Sequence, residues 1–238
     1  MCSIGWLKLE KSWILFKNRD RPVGEPKTST FIQDTDIVGF GDKKFPGVWA
    51  GVNKYGVGIA SAYGPLRDVV QGLKPENFEA NEEVLRNCKT VEKAAELYLK
   101  LAKSLGRTFN IIIGDSTHAV ALELIPNDSS RETFDRIVTK TNYFTVLTKY
   151  NVNKERTERS TARARKLMEL LPNVKNGKDM IPILKFHSKT NDYENICRHD
   201  ITETIASAIF EISDKMKIYY VLNGSPHEKN FEEKTISL

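Results

Sequence analysis

The sequence predicts an α+β chain in which antiparallel sheets stand apart from a few helices. Short β-rich runs come in neighbouring pairs joined by tight turns, and nowhere do strands alternate with helices in the βαβ order of a parallel sheet. The composition agrees: 238 residues, 40% hydrophobic and 28% charged, are ordinary globular proportions that exclude disordered, collagen-like and coiled-coil classes.

The elements follow in order. Residues 2–9 and 12–18 read as two strands, the second carrying Trp13-Ile14-Leu15-Phe16, and only Glu10-Lys11 separates them, which makes a hairpin. Residues 19–46 hold Pro22, Gly24, Pro26, Gly39, Gly41 and Pro46 and read mostly as loop. Residues 48–52 and 57–62 form a second hairpin around Asn53-Lys54-Tyr55-Gly56, with Gly56 free to take positive φ. Gly58, Ala60, Ser61 and Ala62 are small, as in a strand closely approached by another part of the chain.

A helix over 91–105 is predicted by Val91, Ala94, Ala95, Tyr98, Leu101, Ala102 and Leu105, with Thr90 as cap and Gly106 as stop. Strands are expected over 109–114 and 118–125, then a pair over 136–139 and 144–148. A basic helix over 155–171 presents Ala164, Leu167, Met168 and Leu171 as its apolar stripe and is closed by Pro172; a shorter helix covers 179–186. Strands over 202–212, 217–222 and 235–238 complete the chain.

Charge and cysteine usage narrow the function. The balance of 36 Lys+Arg and 31 Asp+Glu gives 36 − 31 = +5, too mild to mark a nucleic-acid binder by itself. No apolar run approaches the roughly 18–20 residues of a membrane helix. Cys2, Cys88 and Cys197 are scattered and odd in number, so neither a disulfide framework nor a CxxC metal pair is built from them. Cys197, His199 and His187 fit no tetrahedral zinc spacing, and no other cofactor motif is visible. Lys8 and Glu10 interrupt any signal-like apolar core, which predicts a cytoplasmic protein.

The remaining oddity is a cysteine directly after Met1. Trimming of Met1 is expected before so small a side chain, and it exposes a thiol and an α-amine on one residue. The amine, with an ordinary pKa of about 7.7–8.0, suits a general base, and the thiol, near 8.5, suits a nucleophile. In the first hairpin residue i faces roughly residue 21 − i, so Cys2 meets Arg19 with Asp20 just beyond. Asp20 can hold the N-terminal ammonium, and Arg19 can hold a thiolate.

Met1-Cys2 followed by Lys17-Asn18-Arg19-Asp20 resembles the opening of the N-terminal-nucleophile (Ntn) hydrolases, in particular the choloylglycine hydrolase/penicillin V acylase family and the acyl-coenzyme A:6-aminopenicillanic acid acyltransferase family. The separation 20 − 2 = 18 suits the second branch. Further motifs follow in family order: Gly51-Val52-Asn53-Lys54-Tyr55-Gly56-Val57 resembles its Gly-x-Asn-x-x-Gly-Leu hairpin, and Thr141-Asn142-Tyr143-Phe144 its Thr-Asn-His-Phe. Ser160-Thr161-Ala162-Arg163 resembles its Ser-x-x-Arg helix start, Cys197-Arg198-His199 with Thr202 to Thr204 its late segment, and Gly224-Ser225-Pro226 its Gly-x-Pro.

The resemblance implies one domain over 1–238, with Met1 removed, built as a four-layer αββα sandwich of two antiparallel sheets between helices. It implies an amidohydrolase that cleaves the linear carbon–nitrogen bond of a small N-acyl amide through an acyl-cysteine. Cys2 would be nucleophile and base, Asp20 would orient the amine, Asn142 would donate to the oxyanion, and Arg163 would stand near the nucleophile holding charge or the substrate's polar end. Arg163 lies about a quarter turn from the stripe of its helix and reaches inward, whereas Arg159, Arg165 and Lys166 point outward.

Departures from the family pattern bear on specificity. Tyr143 stands where His is common; Lys17 stands where the bile-salt and penicillin V branch has an arginine, so that role passes to Lys17 or Arg19; Tyr63 stands where that branch has a second asparagine. Trp49, Tyr63 and Tyr143 are the expected wall of an acyl pocket. Acyl transfer to an amine would use the same residues, and homo-oligomerisation is left open. A non-catalytic nucleic-acid binder resting on the basic helix is the reading from another class; the helix lacks the aromatic platform such binders use. A glutaminase-type domain shares the opening Cys2 but needs an arginine and a Gly-Asn-Gly motif that are missing, and a Gly-x-Ser-x-Gly elbow is missing too.

Overall fold

The computed structural model describes residues 2–65, 78–102, 108–190 and 192–237. The expected helix end at 103–106 and the removal of Met1 lie outside the described residues.

The chain begins with the predicted hairpin: β1 (Cys2–Lys8) pairs antiparallel with β2 (Trp13–Pro22), from Cys2↔Arg19 to Lys8↔Trp13, so that paired numbers sum to 21 throughout. Side chains alternate along a strand. Cys2, Ile4, Trp6, Trp13 and Leu15 therefore enter one apolar cluster, and Leu7, Ile14 and Phe16 another. The next strands are β3 (Ser29–Gln33) and β4 (Ile37–Asp42), in the stretch read as loop. Gly39 does not mark a turn there: a Cβ on it would lie 2.7 Å from the Ala50 carbonyl oxygen, so the glycine permits close approach of the next strand.

The second hairpin is β5 (Val48–Asn53) with β6 (Gly58–Tyr63), and Gly56 takes φ 75° as its turn requires. Asn53 organises that turn. Its side-chain oxygen accepts from the Tyr55 and Val57 amides, and its Nδ2 donates to the carbonyls of Leu85 and Cys88, which ties the hairpin to helix α1 (Phe78–Asn87). α1 escaped sequence reading because its inward face carries Asn81, whose amide bonds the Val48 carbonyl and the Ser61 hydroxyl, within an otherwise apolar Phe78, Ala80, Val84, Leu85 face. α2 (Val91–Ala102) follows with the predicted buried face.

β7 (Phe109–Gly114) and β8 (Ala119–Ile125) are fully buried strands, and β9 (Asp128–Phe134) is a polar edge strand with no apolar alternation to announce it. β10 (Ile137–Lys140) pairs with β1 and not with a strand at 144–148, which is turn. The amides of Thr145, Val146 and Leu147 are spent on the Glu123 carboxylate, so no ladder forms there. α3 (Lys154–Leu170) is capped by Asn153, whose side chain accepts from the Arg156 amide, and α4 (Met180–Leu184) is shorter than predicted. β11 (Thr202–Ile212), β12 (Lys215–Val221) and β13 (Glu232–Ser237) close the chain.

The strands make two antiparallel sheets, in the orders β10-β1-β2-β11-β12-β13 and β3-β4-β5-β6-β7-β8-β9. Ile4, Trp6, Leu15, Phe40, Trp49, Ile112 and Phe210 fill the space between them. α1 and α2 cover the outer face of the seven-stranded sheet through Val84, Val91, Ala94 and Tyr98. α3 and α4 cover the other sheet through Leu167, Leu171, Met180 and Ile183 against Ile14, Phe16 and Ile209, while Met168, expected in the α3 stripe, is 44% exposed. This is the predicted four-layer αββα arrangement. Among the described residues no helix is long and apolar enough to cross a membrane.

Candidate active site

Cys2 opens the inner face of β1 and is buried. The same alternation puts Lys17 and Arg19 of β2 beside it. Lys17 donates to the Ser61 carbonyl at 2.6 Å and to the Trp49 carbonyl at 3.3 Å, and its ammonium lies 5.0 Å from the Trp49 ring centre. This is the close approach that the small residues of β6 foreshadow. Arg19 stands opposite Cys2, donates to Asp42 Oδ2 at 2.6 Å and lies over the rings of Trp49 and Phe78. Cys2, Lys17, Arg19, Asp20, Arg21, Ser61, Ala62, Tyr63, Phe78 and Phe109 line a narrow cleft. One wall is cationic and the other aromatic.

The Cys2 nitrogen donates to Asn142 Oδ1 at 2.6 Å, and Arg163 Nη2 donates to the same oxygen at 3.2 Å. Asn142 Nδ2 donates to the Tyr63 carbonyl at 2.7 Å. An amide nitrogen carries two hydrogens, so this bond leaves one for another acceptor. The loop holding Asn142 is pinned at both flanks, because Asn110 Nδ2 donates to the carbonyls of Thr141 and Tyr143.

Asp20 is buried on the other face of β2, on the side that α3 covers. Its Oδ1 accepts from the Thr204 hydroxyl at 2.8 Å, and its Oδ2 has no hydrogen-bond partner among the described residues. Thr204 faces Asp20 across the β2–β11 pairing, next to a register shift between Thr204 and Ala206. Such a bulge re-aims a side chain. Arg163 is buried, which pulls its guanidinium down to about 10; the charges of Asp20 and Cys2 draw it up and Arg198 pushes it down. It stays protonated at neutral pH. Burial pushes the Cys88 and Cys197 thiols up, against thiolate formation.

The structure thus brings Cys2, Arg19, Asp20, Tyr63, Asn142 and Arg163 together. Trp49 is fully buried beneath Lys17 and Arg19 and does not line the cleft. Tyr143 departs from the expected pocket wall: it borders a separate groove with Phe134, Lys140, Thr161 and Arg165, on the other side of the Asn142 loop. Thr204 and Asp42 carry no expected role; Thr204 lies inside the late motif, whereas no pattern in the sequence marks Asp42. Of the outward cations of α3, Arg159 pairs with Glu155 and Asp200, Lys166 pairs with Glu169, and Arg165 is exposed. His187, His199 and His227 pack with ring centres 5.2–5.7 Å apart, and among the described residues no group of three or more His, Cys, Asp or Glu is arranged to hold a metal ion.

Residues 10–226 match the family model of the acyl-coenzyme A:6-aminopenicillanic acid acyl-transferases. No curated protein matches the chain at the level of sequence. Among solved structures, a mutant conjugated bile acid hydrolase from Clostridium perfringens is similar at a TM-score of 0.62 and 14% identity, covering 100% of this chain and 92% of that one. A second variant of that hydrolase gives 0.60 and 15%, covering 99% and 92%. The Caenorhabditis elegans orthologue of N-acylethanolamine-hydrolyzing acid amidase gives 0.58 and 14%, covering 87% and 92%. At these identities the structural likeness establishes the Ntn-hydrolase fold.

Proposed function

The chain belongs to the acyl-coenzyme A:6-aminopenicillanic acid acyl-transferase family, and on that premise we propose that it is an N-terminal-cysteine amidohydrolase acting on a linear N-acyl amide. The observation that carries the reading is the Cys2 nitrogen on Asn142 Oδ1, with Arg163 on the same oxygen. An amine that is to act as a base must present its lone pair to its own thiol. Donating one N–H to a fixed acceptor restricts how it can turn.

Once Met1 is removed, the α-amine takes the thiol proton and the sulfur attacks the acyl carbon. The negative charge that collects on the former carbonyl oxygen meets the remaining N–H of Asn142 Nδ2; one such donor is worth roughly 2.7–4 kcal/mol in the transition state. The carbon–nitrogen bond then breaks as the ammonium returns its proton to the departing amine, leaving the acyl group as a thioester on Cys2. Water attacks that thioester, the amine accepts its proton, and the acid and free thiol are released. Arg163 and Arg19 supply positive charge around the sulfur, and Asp20 balances it on the side of α3.

Both hydrolases named in the structural comparison act, as their names state, on conjugated or N-acyl compounds, which supports an N-acyl amide as substrate class. The family's own description favours a second acceptor: an amine attacking the same thioester would make the protein an acyltransferase without changing a residue. Hydrolysis of p-nitroanilides, penicillin V, N-acyl amino acids and acyl-homoserine lactones, with Cys2→Ala as blank, tests the reading. Turnover confined to the Cys2 protein supports it, and equal turnover in Cys2→Ala removes it.

A further inference from the structure

Glu123 in β8 is completely buried and takes no part in the chemistry above. Its Oε1 accepts from Lys140 Nζ at 2.7 Å, from the Thr145 amide at 2.6 Å and from the Thr145 hydroxyl at 2.8 Å. Its Oε2 accepts from the amides of Val146 at 3.0 Å and Leu147 at 2.9 Å. Lys140 precedes Asn142 by two residues and Thr145 follows it by three, so one carboxylate closes both ends of the loop that carries Asn142. Glu123 also faces Asn110 across the β7–β8 pairing, and Asn110 holds the two carbonyls that flank Asn142.

A buried ion pair is a poor source of stability, because two charges must leave water and an apolar pair of the same shape does as well or better. What this one supplies is a single loop geometry. All five bonds of the carboxylate are made to the loop or to the residue that starts it, and the loop meets Cys2 through a 2.6 Å bond that a shift of an ångström would break. We infer that Glu123 is a positioning residue for the reaction: it holds the 140–147 loop so that Asn142 Oδ1 meets the Cys2 nitrogen. This rests on the reading of Cys2 as nucleophile and base.

Glu123→Gln tests it, because a Gln amide keeps one acceptor and turns its NH2 either onto the Val146 and Leu147 amides or onto Lys140. The pair Glu123→Gln with Lys140→Met removes both charges and serves where the single variant does not fold. Turnover of an N-acyl p-nitroanilide is measured per mole of folded protein, beside wild type and Cys2→Ala. The inference expects kcat to fall at least tenfold with KM within twofold, in a protein of unchanged circular dichroism. A kcat within twofold of wild type in a folded variant overturns it. Failure of both variants to fold assigns Glu123 to the fold and overturns it equally. Residual turnover in Cys2→Ala would instead strike the nucleophile reading, so the two failures are separable.

Discussion

The backbone nitrogen of Cys2 donates to the side-chain oxygen of Asn142 at 2.6 Å, across 140 positions of sequence. Beside the oxyanion role proposed for it, Asn142 is the acceptor for the nitrogen that, once free, would be the base. Asp20, expected to orient that nitrogen, bonds Thr204 and reaches the site through its charge.

Asn142→Ala removes both the acceptor for Cys2 and the donor proposed for the oxyanion. The expected cost is roughly 2.7–4 kcal/mol in the transition state, a fall of about 10²–10³ in kcat. Steady-state kinetics on a folded variant checks this; a loss confined to KM would contradict it.

Lys17→Met should act on stability. The ammonium is buried and serves two carbonyls, those of Ser61 and Trp49. The Trp49 carbonyl keeps a 3.3 Å bond from the Ser61 hydroxyl, and removing the donor from the two carbonyls costs about 2 kcal/mol, or roughly 4–8 °C of melting temperature for a chain of this size. Differential scanning calorimetry reads the shift, and an unchanged transition would show that the two bonds carry little.

Thiol chemistry should be selective. All three cysteines are buried, but burial pushes the Cys88 and Cys197 thiols up, against thiolate, whereas Cys2 lines a cleft beside Lys17 and Arg19. Iodoacetamide at neutral pH should modify Cys2 first, as read by peptide mass mapping. Earlier modification of Cys88 or Cys197 would contradict the assignment.

Acid should loosen the Asn142 loop. Burial raises the Glu123 carboxyl, but the Lys140 ammonium and the Leu147 and Thr145 amides outweigh it and hold it below the ordinary value of 4.5. A depressed carboxyl contributes stability that is present above its unfolded value and is lost as pH falls through its folded one. The urea midpoint of the wild type should therefore drop from about pH 4.5 downward, and its advantage over Glu123→Gln should shrink over the same range. A constant difference down to pH 3 would contradict this.

The sequence made the local part of this site legible. The two-residue turn Glu10-Lys11 sets the pairing of β1 with β2, so Cys2 opposite Arg19 follows from arithmetic, and the inward reach of Arg163 follows from the period of its helix. Partners brought by other elements were not legible. Thr204, although it lies inside the late motif, reaches Asp20 across 184 positions, and Asp42 reaches Arg19 from the other sheet with no local pattern to announce it. Inward polar residues also hid whole elements: Asn81 broke the apolar face of α1, and Glu123 drew the amides of 145–147 away from the strand expected there. Tyr143 departs from the expected wall because its neighbour Asn142 turns toward Cys2 while Tyr143 itself borders the separate groove.

The central claim is that Cys2 becomes the N-terminal residue and carries the acyl group. The intact mass of the active protein, sampled during turnover of an N-acyl amide, tests it most directly. The expected result is a chain lighter by one methionine residue that gains the mass of the acyl group on Cys2 and loses it as substrate runs out. An active chain that keeps Met1, or one whose acyl adduct maps to any residue other than Cys2, would contradict it.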